Sequence, residues 1–292
     1  MIYIIILLIL IILVCLLIYN NNSEYFTSFD YTIPKTVYCY FHDLDKNPLI
    51  KAHIETWKRN ISPEWQIIVL NNNNVKDYVD KDFLKKYQHL DPTRFSDFLR
   101  LYLLIYRGGV WLDSAIIIID GKFLDEYYNE MILNRYDACL YELKSNTLNE
   151  NVPHLENWFI MAPKNSKLLI DLYQEFDKSF MMGFINYKKN ILVPSGINLK
   201  NTLGKDPNYT YLMQHAIINY FYHQGRKYSV NIKDAEESMF KIHLDKKWDA
   251  CAIIDFILKN KDWKGYYGIK LIKSNRRCIK DVDEFIKKLD SF

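Results

Sequence analysis

Residues 91–120, DPTRFSDFLRLYLLIYRGGVWLDSAIIIID, constrain the fold more than any other part of this 292-residue chain. Leu99, Leu101, Leu103, Leu104 and Ile105 make the first half too apolar for a surface helix, so the pattern predicts a buried helix whose polar groups need partners. Asp91 suits the N-cap and Pro92 the first helical position, while Gly108 and Gly109 supply a left-handed stop. Asp97 and Arg100 stand three apart and share one helical face. A short strand over 110–112 then delivers Asp113 at its C-terminal end, where open α/β sheets bind ligands. Each element alone has an ordinary reading, since such ion pairs are common on solvated helices and paired glycines commonly cap them. Their order and spacing together point to a site of two acids and a guanidinium at one sheet edge.

The same residues carry a resemblance. SDFLRLYLLIYRGGVWLDSA resembles the signature of DXD-type glycosyltransferases of the GT-A fold, as found in the family 32 sugar transferases and the capsular polysaccharide synthesis proteins. Upstream, IPKTVYCYFHDLDKNPLIKAHIETWKRNISPEWQIIVLNNNNVKDYV is similar to the first half of those proteins, and downstream ENWFIMAPKNSKLL to a later strand and helix. The likeness is good over residues 33–175 and loose beyond. It implies an α/β, GT-A-like domain with a mostly parallel sheet flanked by helices. It further implies metal-assisted transfer of a sugar from a nucleotide-sugar donor to a glycan or glycolipid, with retention of the anomeric configuration. By position, Asp97 and Arg100 would bind the donor and position its sugar. Asp113 would hold Mn²⁺ or Mg²⁺ on the diphosphate, a Lewis-acid role. Gly108 and Gly109 would let backbone approach the donor, and Tyr38 with Tyr40 would lie near its base.

One position departs from the pattern: Ala115 stands where the family usually has its second acid. A hard cation needs oxygen ligands, which one carboxylate plus donor phosphates and water can supply. Asp120, seven residues after Asp113, would face the opposite side of a continuous strand and is not counted as a ligand. The alternative is a catalytically decayed relative that binds a sugar or nucleotide sugar at a membrane.

Residues 2–19, IYIIILLILIILVCLLIY, are apolar throughout and at the short end of what spans a bilayer. No positive charge precedes them and no small-residue cleavage pattern follows, which favours an uncleaved signal-anchor. The expected organisation is a transmembrane anchor over 1–19, a linker over 20–32 and a GT-A-like domain over 33–292. The resemblance implies a single-pass type II protein with its domain in the secretory-pathway lumen. Sequons at Asn21-Asn22-Ser23, Asn60-Ile61-Ser62 and Asn208-Tyr209-Thr210 are compatible with that. A formal net charge of +3 with both signs interspersed gives no basic patch for nucleic acid. Five cysteines, Cys15, Cys39, Cys139, Cys251 and Cys278, lie far apart, and neither a zinc site nor a dense disulfide framework is expected.

Elsewhere the pattern predicts strands over 36–41, 65–70, 116–119, 137–142 and 158–161, and helices over 48–59, 123–131, 166–180 and 211–223, with short helices in 75–87. A strand is expected over 239–244. The C-terminal half offers thinner candidates. His243 lies where some of these proteins place a late histidine near the diphosphate, which makes it a second metal-ligand candidate. Trp248, Trp263 and Lys264 are candidates to close over the donor. His215 and His223, eight apart, lack the four-residue spacing of a helical zinc pair.

Overall fold

A computed structural model describes residues 31–200, 211–260, 270–274 and 278–292. The expected anchor over 1–19 lies outside the described residues, as do two sequons, Trp263 and Lys264. Among the described residues no helix is long and apolar enough to cross a membrane. Thr32–Phe292 forms one compact unit.

Strand β1 (Thr36–Tyr40) leads into helix α1 (Pro48–Asn60), and β2 (Gln66–Leu70) into α2 (Lys81–Tyr87) and α3 (Pro92–Arg107). After β3 (Gly109–Leu112) and β4 (Ile116–Ile118) come α4 (Phe123–Asn134), β5 (Ala138–Glu142) and β6 (Leu155–Ala162). Helices α5 (Lys167–Met182), α6 (Phe184–Tyr187) and α7 (Met213–His223) precede β7 (Val230–Asp234). The chain then runs through α8 (Lys241–Asp245), α9 (Ala250–Lys259), β8 (Leu271–Lys273) and α10 (Val282–Leu289).

Six strands form one sheet in the order β2-β1-β3-β6-β5-β7. Neighbours β1–β2, β1–β3 and β5–β7 are parallel, and only β6 runs against its neighbours. The mostly parallel sheet flanked by helices is thus borne out. Its central strands are buried on both faces, which is why TVYCY and GVWL read as continuous apolar runs. A second, two-stranded sheet pairs β4 with β8, setting Ile116 opposite Lys273. Trp57 Nε1 donates to Ile116 O at 2.7 Å, and Asn60 Nδ2 donates to Ile118 O at 2.9 Å, fastening α1 to β4. The described sequon is therefore spent on packing, because its amide also donates to Thr56 O at 3.0 Å.

Helix α3 forms as its sequence predicts. Asp91 accepts from Thr93 N and Arg94 N at 3.0 and 3.1 Å, Pro92 opens the helix, and Gly108 ends it at φ 69°. Phe98 stacks on Tyr87 at 4.0 Å and meets Phe176 of α5 at 4.7 Å, so the helix is buried between the sheet and α5. One expectation needs correction. Residues 239–244 are not a strand: α8 occupies 241–245, with the consecutive residues Ile242 and His243 both buried, which the alternation of a one-faced strand would not give. Cys251 and Cys278 form a disulfide across 27 residues, a pairing that no short cysteine spacing announces. Cys39 and Cys139 are free and buried.

Candidate active site

A cleft of about 700 Å³ opens where β1, β3 and β5 end and the reversed strand β6 begins, the place where such sheets bind ligands. The antiparallel register sets Leu112 opposite Phe159, and Asp113 N donates to Trp158 O at 2.9 Å. That register brings the start of β6 beside the carboxylate at the end of β3.

The three residues read from the sequence converge here. Asp97 and Arg100 are both buried in α3, and Arg100 Nη1 lies 3.0 Å from Asp97 Oδ1. Arg100 Nη2 lies 3.3 Å from Asp113 Oδ1, so the guanidinium bridges the two acids. Two cations join them that the pattern did not identify. Arg94 donates to Asp97 Oδ2 at 2.6 Å, its guanidinium 4.6 Å from the ring of Phe184. Lys273 of β8 reaches Asp113 Oδ2 at 3.3 Å. Trp111 Nε1 donates to Asp113 Oδ1 at 3.0 Å. Gln214 of α7 fixes the frame, donating to Asp97 O at 2.9 Å and accepting from Asn157 at 2.8 Å.

Burial pushes the Asp97 carboxyl up, and Arg100 and Arg94 oppose the shift. Burial costs the Lys273 ammonium, but Asp113, Tyr211 and Glu156 together more than offset it, so Lys273 sits above the ordinary lysine value. Burial and then Lys273 depress His243 to about 4, which leaves it a neutral imidazole between Phe240 and Trp248.

The other candidates divide. Tyr40 lines the cleft, its hydroxyl donating to Asn72 at 2.6 Å, whereas Tyr38 is absorbed into the core beside Gly109. Gly108 and Gly109 do not line the cleft. A Cβ at Gly109 would lie 2.7 Å from Thr36 O and one at Gly108 2.8 Å from Lys164 N, so close packing and positive φ explain both glycines. Trp248 lines the cleft, while His223 is exposed on another face, 2.9 Å from Ser195 O. Asp120 accepts from Lys122 N and lies outside the cleft.

A Mn²⁺ or Mg²⁺ ion on Asp113 would share its carboxylate with three protein donors. Arg100 and Trp111 already engage one oxygen and Lys273 the other, and Ala115 offers no second carboxylate. Neither Asp113 nor His243 belongs to a group of three ligand-type side chains among the described residues; the group that does form is His154, Glu156 and His215. Burial pushes Glu156 up, but the two histidines outweigh it and hold its carboxyl well below the usual range. Burial lowers His154, and Glu156 opposes the shift. The pattern missed this group because only His154 and Glu156 are near in sequence, two apart at the start of a strand and so on one face.

Six buried side-chain atoms among the described residues lack a hydrogen-bond partner: Arg100 Nε, His154 Nδ1, Trp158 Nε1, both ring nitrogens of His215, and His243 Nδ1. All belong to residues lining this cleft. Natural folds leave few such groups, and those they leave call for a functional explanation.

The sequence profile of the capsular polysaccharide synthesis protein family matches residues 21–193. The chain belongs to that family. The resemblance carried by SDFLR and GGVWLD is thereby borne out. No curated protein gives a significant sequence match. Among solved structures, the bifunctional glycosyltransferase WbbM matches with 14% identity and a TM-score of 0.45, over 90% of this chain and 50% of its own. The glycosyltransferase GlyE of Streptococcus pneumoniae TIGR4 matches with 10% identity and 0.43, over 89% of this chain and 64% of its own. A glycosyltransferase involved in glycosylation of the major capsid of PBCV-1 matches with 8% identity and 0.41, over 87% and 98%. This capsular polysaccharide synthesis protein thus spans half the length of WbbM and under two thirds of GlyE. At such identities the likeness is one of fold alone.

Proposed function

We propose that this family member is a glycosyltransferase that moves a sugar from a nucleotide-sugar donor to a glycan or glycolipid acceptor. The observation that carries the reading is the continuous ionic chain Asp97–Arg100–Asp113–Lys273 along a ligand-sized cleft that also gathers the unpartnered buried side-chain polar atoms of the described residues. Leaving-group departure builds negative charge on a nucleoside diphosphate. Fixed cations already oriented toward that charge lower the barrier without reorganising. Arg100 and Lys273 fill this role, and Asp97 and Asp113 hold them in place. Both Asp97 oxygens are bonded, Oδ1 to Arg100 and Oδ2 to Arg94, which suits a positioning group and not a nucleophile. Retention of the anomeric configuration, as the resemblance implies, belongs to the same proposal.

The tether is part of it too: residues 1–19 would anchor the chain as a single-pass type II protein with Thr32–Phe292 in the lumen. The Cys251–Cys278 disulfide supports an oxidising compartment.

Titration of the full chain with UDP, GDP, CDP and dTDP tests the donor site by calorimetry. One nucleoside diphosphate should bind, and Lys273→Ala should weaken it by about tenfold or more, as loss of a charge-assisted contact of 1.5–3 kcal/mol requires. Binding by none of the four would overturn the donor assignment. Ala115, in place of a second acid, favours a second reading, a non-catalytic nucleotide-sugar binder, and binding without turnover of any donor would select it.

A further inference from the structure

We propose that His154, Glu156 and His215 form a divalent transition-metal site, separate from Asp113, in the wall of the cleft. The side chains come from the start of β6 and from α7, and all three are buried. Their ligand atoms lie within 4.8 Å of one another. His154 Nε2 is 3.5 Å from Glu156 Oε1, and His215 Nε2 is 3.6 Å from Glu156 Oε2.

Those separations decide between two arrangements. A carboxylate bonded directly to imidazoles would draw N and O to about 2.7–2.9 Å. Ligands around one tetrahedral ion, at metal distances of about 2.0–2.2 Å, are held about 3.3–3.6 Å apart. The two His–Glu separations match the second, and the two histidine ligand atoms lie within 4.8 Å of each other. The nitrogens give a further sign: His215 Nε2, the ring nitrogen nearest Glu156, is buried without a hydrogen-bond partner. The two rings also stack, with centroids 5.3 Å apart, which presents their edges side by side.

The donor set selects the cation. Two imidazoles and one carboxylate suit Zn²⁺, Mn²⁺ or Co²⁺, whereas Mg²⁺ and Ca²⁺ take oxygen ligands. Three protein ligands leave a coordination position, and all three residues line the cleft, so an exogenous oxygen can complete the shell. Charge also calls for a cation. Among the described residues, Asp97 and Asp113 are paired with Arg94, Arg100 and Lys273, whereas Glu156 is paired only with the two imidazoles. A cation there would balance the Glu156 carboxylate. The site is defined by its ligands and stands whatever reaction the cleft performs.

Metal content tests it without asking for turnover. The full chain, stripped with chelator and dialysed against Zn²⁺ or Mn²⁺, should retain one equivalent by elemental analysis. Co²⁺ should give visible d–d bands without the intense near-ultraviolet band of a thiolate ligand. His154→Ala and His215→Ala should each weaken binding by more than the roughly 10–100-fold that loss of an outer-shell partner costs. Asp113→Asn should keep the full equivalent. Circular dichroism of each metal-free variant checks its fold, and the wild-type cobalt spectrum decides the matter if a variant does not fold. Retention well below one equivalent, a thiolate band, or undiminished binding in a folded His215→Ala variant would each overturn the proposal.

Discussion

Removing Arg100 would leave Asp97 and Asp113 facing each other in a partly dry cleft, which is why one guanidinium between two acids matters more than a surface pair does. This contact was legible in the chain, because three-residue helical spacing fixes which side chains meet. Lys273 and the His154–Glu156–His215 group were not, since they are joined by strand register and helix packing over distances no local pattern spans. His243 supplies a pH prediction. Its folded pKa is about 4, below the ordinary histidine value. Between pH 6.5 and 4 the unfolded chain therefore binds a proton that the folded chain refuses, so stability falls as pH drops through that window. The contribution is about 3 kcal/mol across the full window. Unfolding midpoints measured at steps from pH 7 to 4 should decline less steeply in His243→Gln than in the wild type, and parallel declines would refute the assignment.

Elements were read best where caps and periodicity agree. Helix α3 runs from Asp91 to Gly108 as its signals demand, and β3 follows directly. Strands β7 and β8 escaped, being five and three residues long with mixed burial, so neither alternation nor a continuous apolar run marks them. The glycine pair after α3 was assigned a role at the donor, and its actual task is to let β3 lie against β1. Gly109 has φ +105°, and a Cβ there would press on Thr36 O at 2.7 Å. Gly109→Ala should therefore cost about 3 kcal/mol or more in urea unfolding, from strain and backbone displacement together. Gly225 provides the comparison: φ is +73° but nothing lies within 4 Å of a Cβ, so Gly225→Ala should cost only about 1–2 kcal/mol. Equal costs would show that crowding between β1 and β3 is not what requires glycine.

At the scale of the whole molecule, one compact unit, Thr32–Phe292, brings β1, β3, β5, β6, α3, α7 and β8 to a single cleft. Family membership and the ionic chain through that cleft lead to the same reading, transfer from a nucleotide-sugar donor. The measurement that tests it most directly is release of nucleoside diphosphate by the full chain from a panel of nucleotide sugars, run with wild type, Asp113→Asn and Arg100→Lys. One donor should be turned over by the wild type. Asp113→Asn should lower turnover, because Arg100 and Lys273 lose the carboxylate that holds them in place. Arg100→Lys should fall as well, because an ammonium cannot bridge two acids as a planar guanidinium does. Undiminished release by folded Asp113→Asn protein, or no release from any donor by the wild type, would contradict the account.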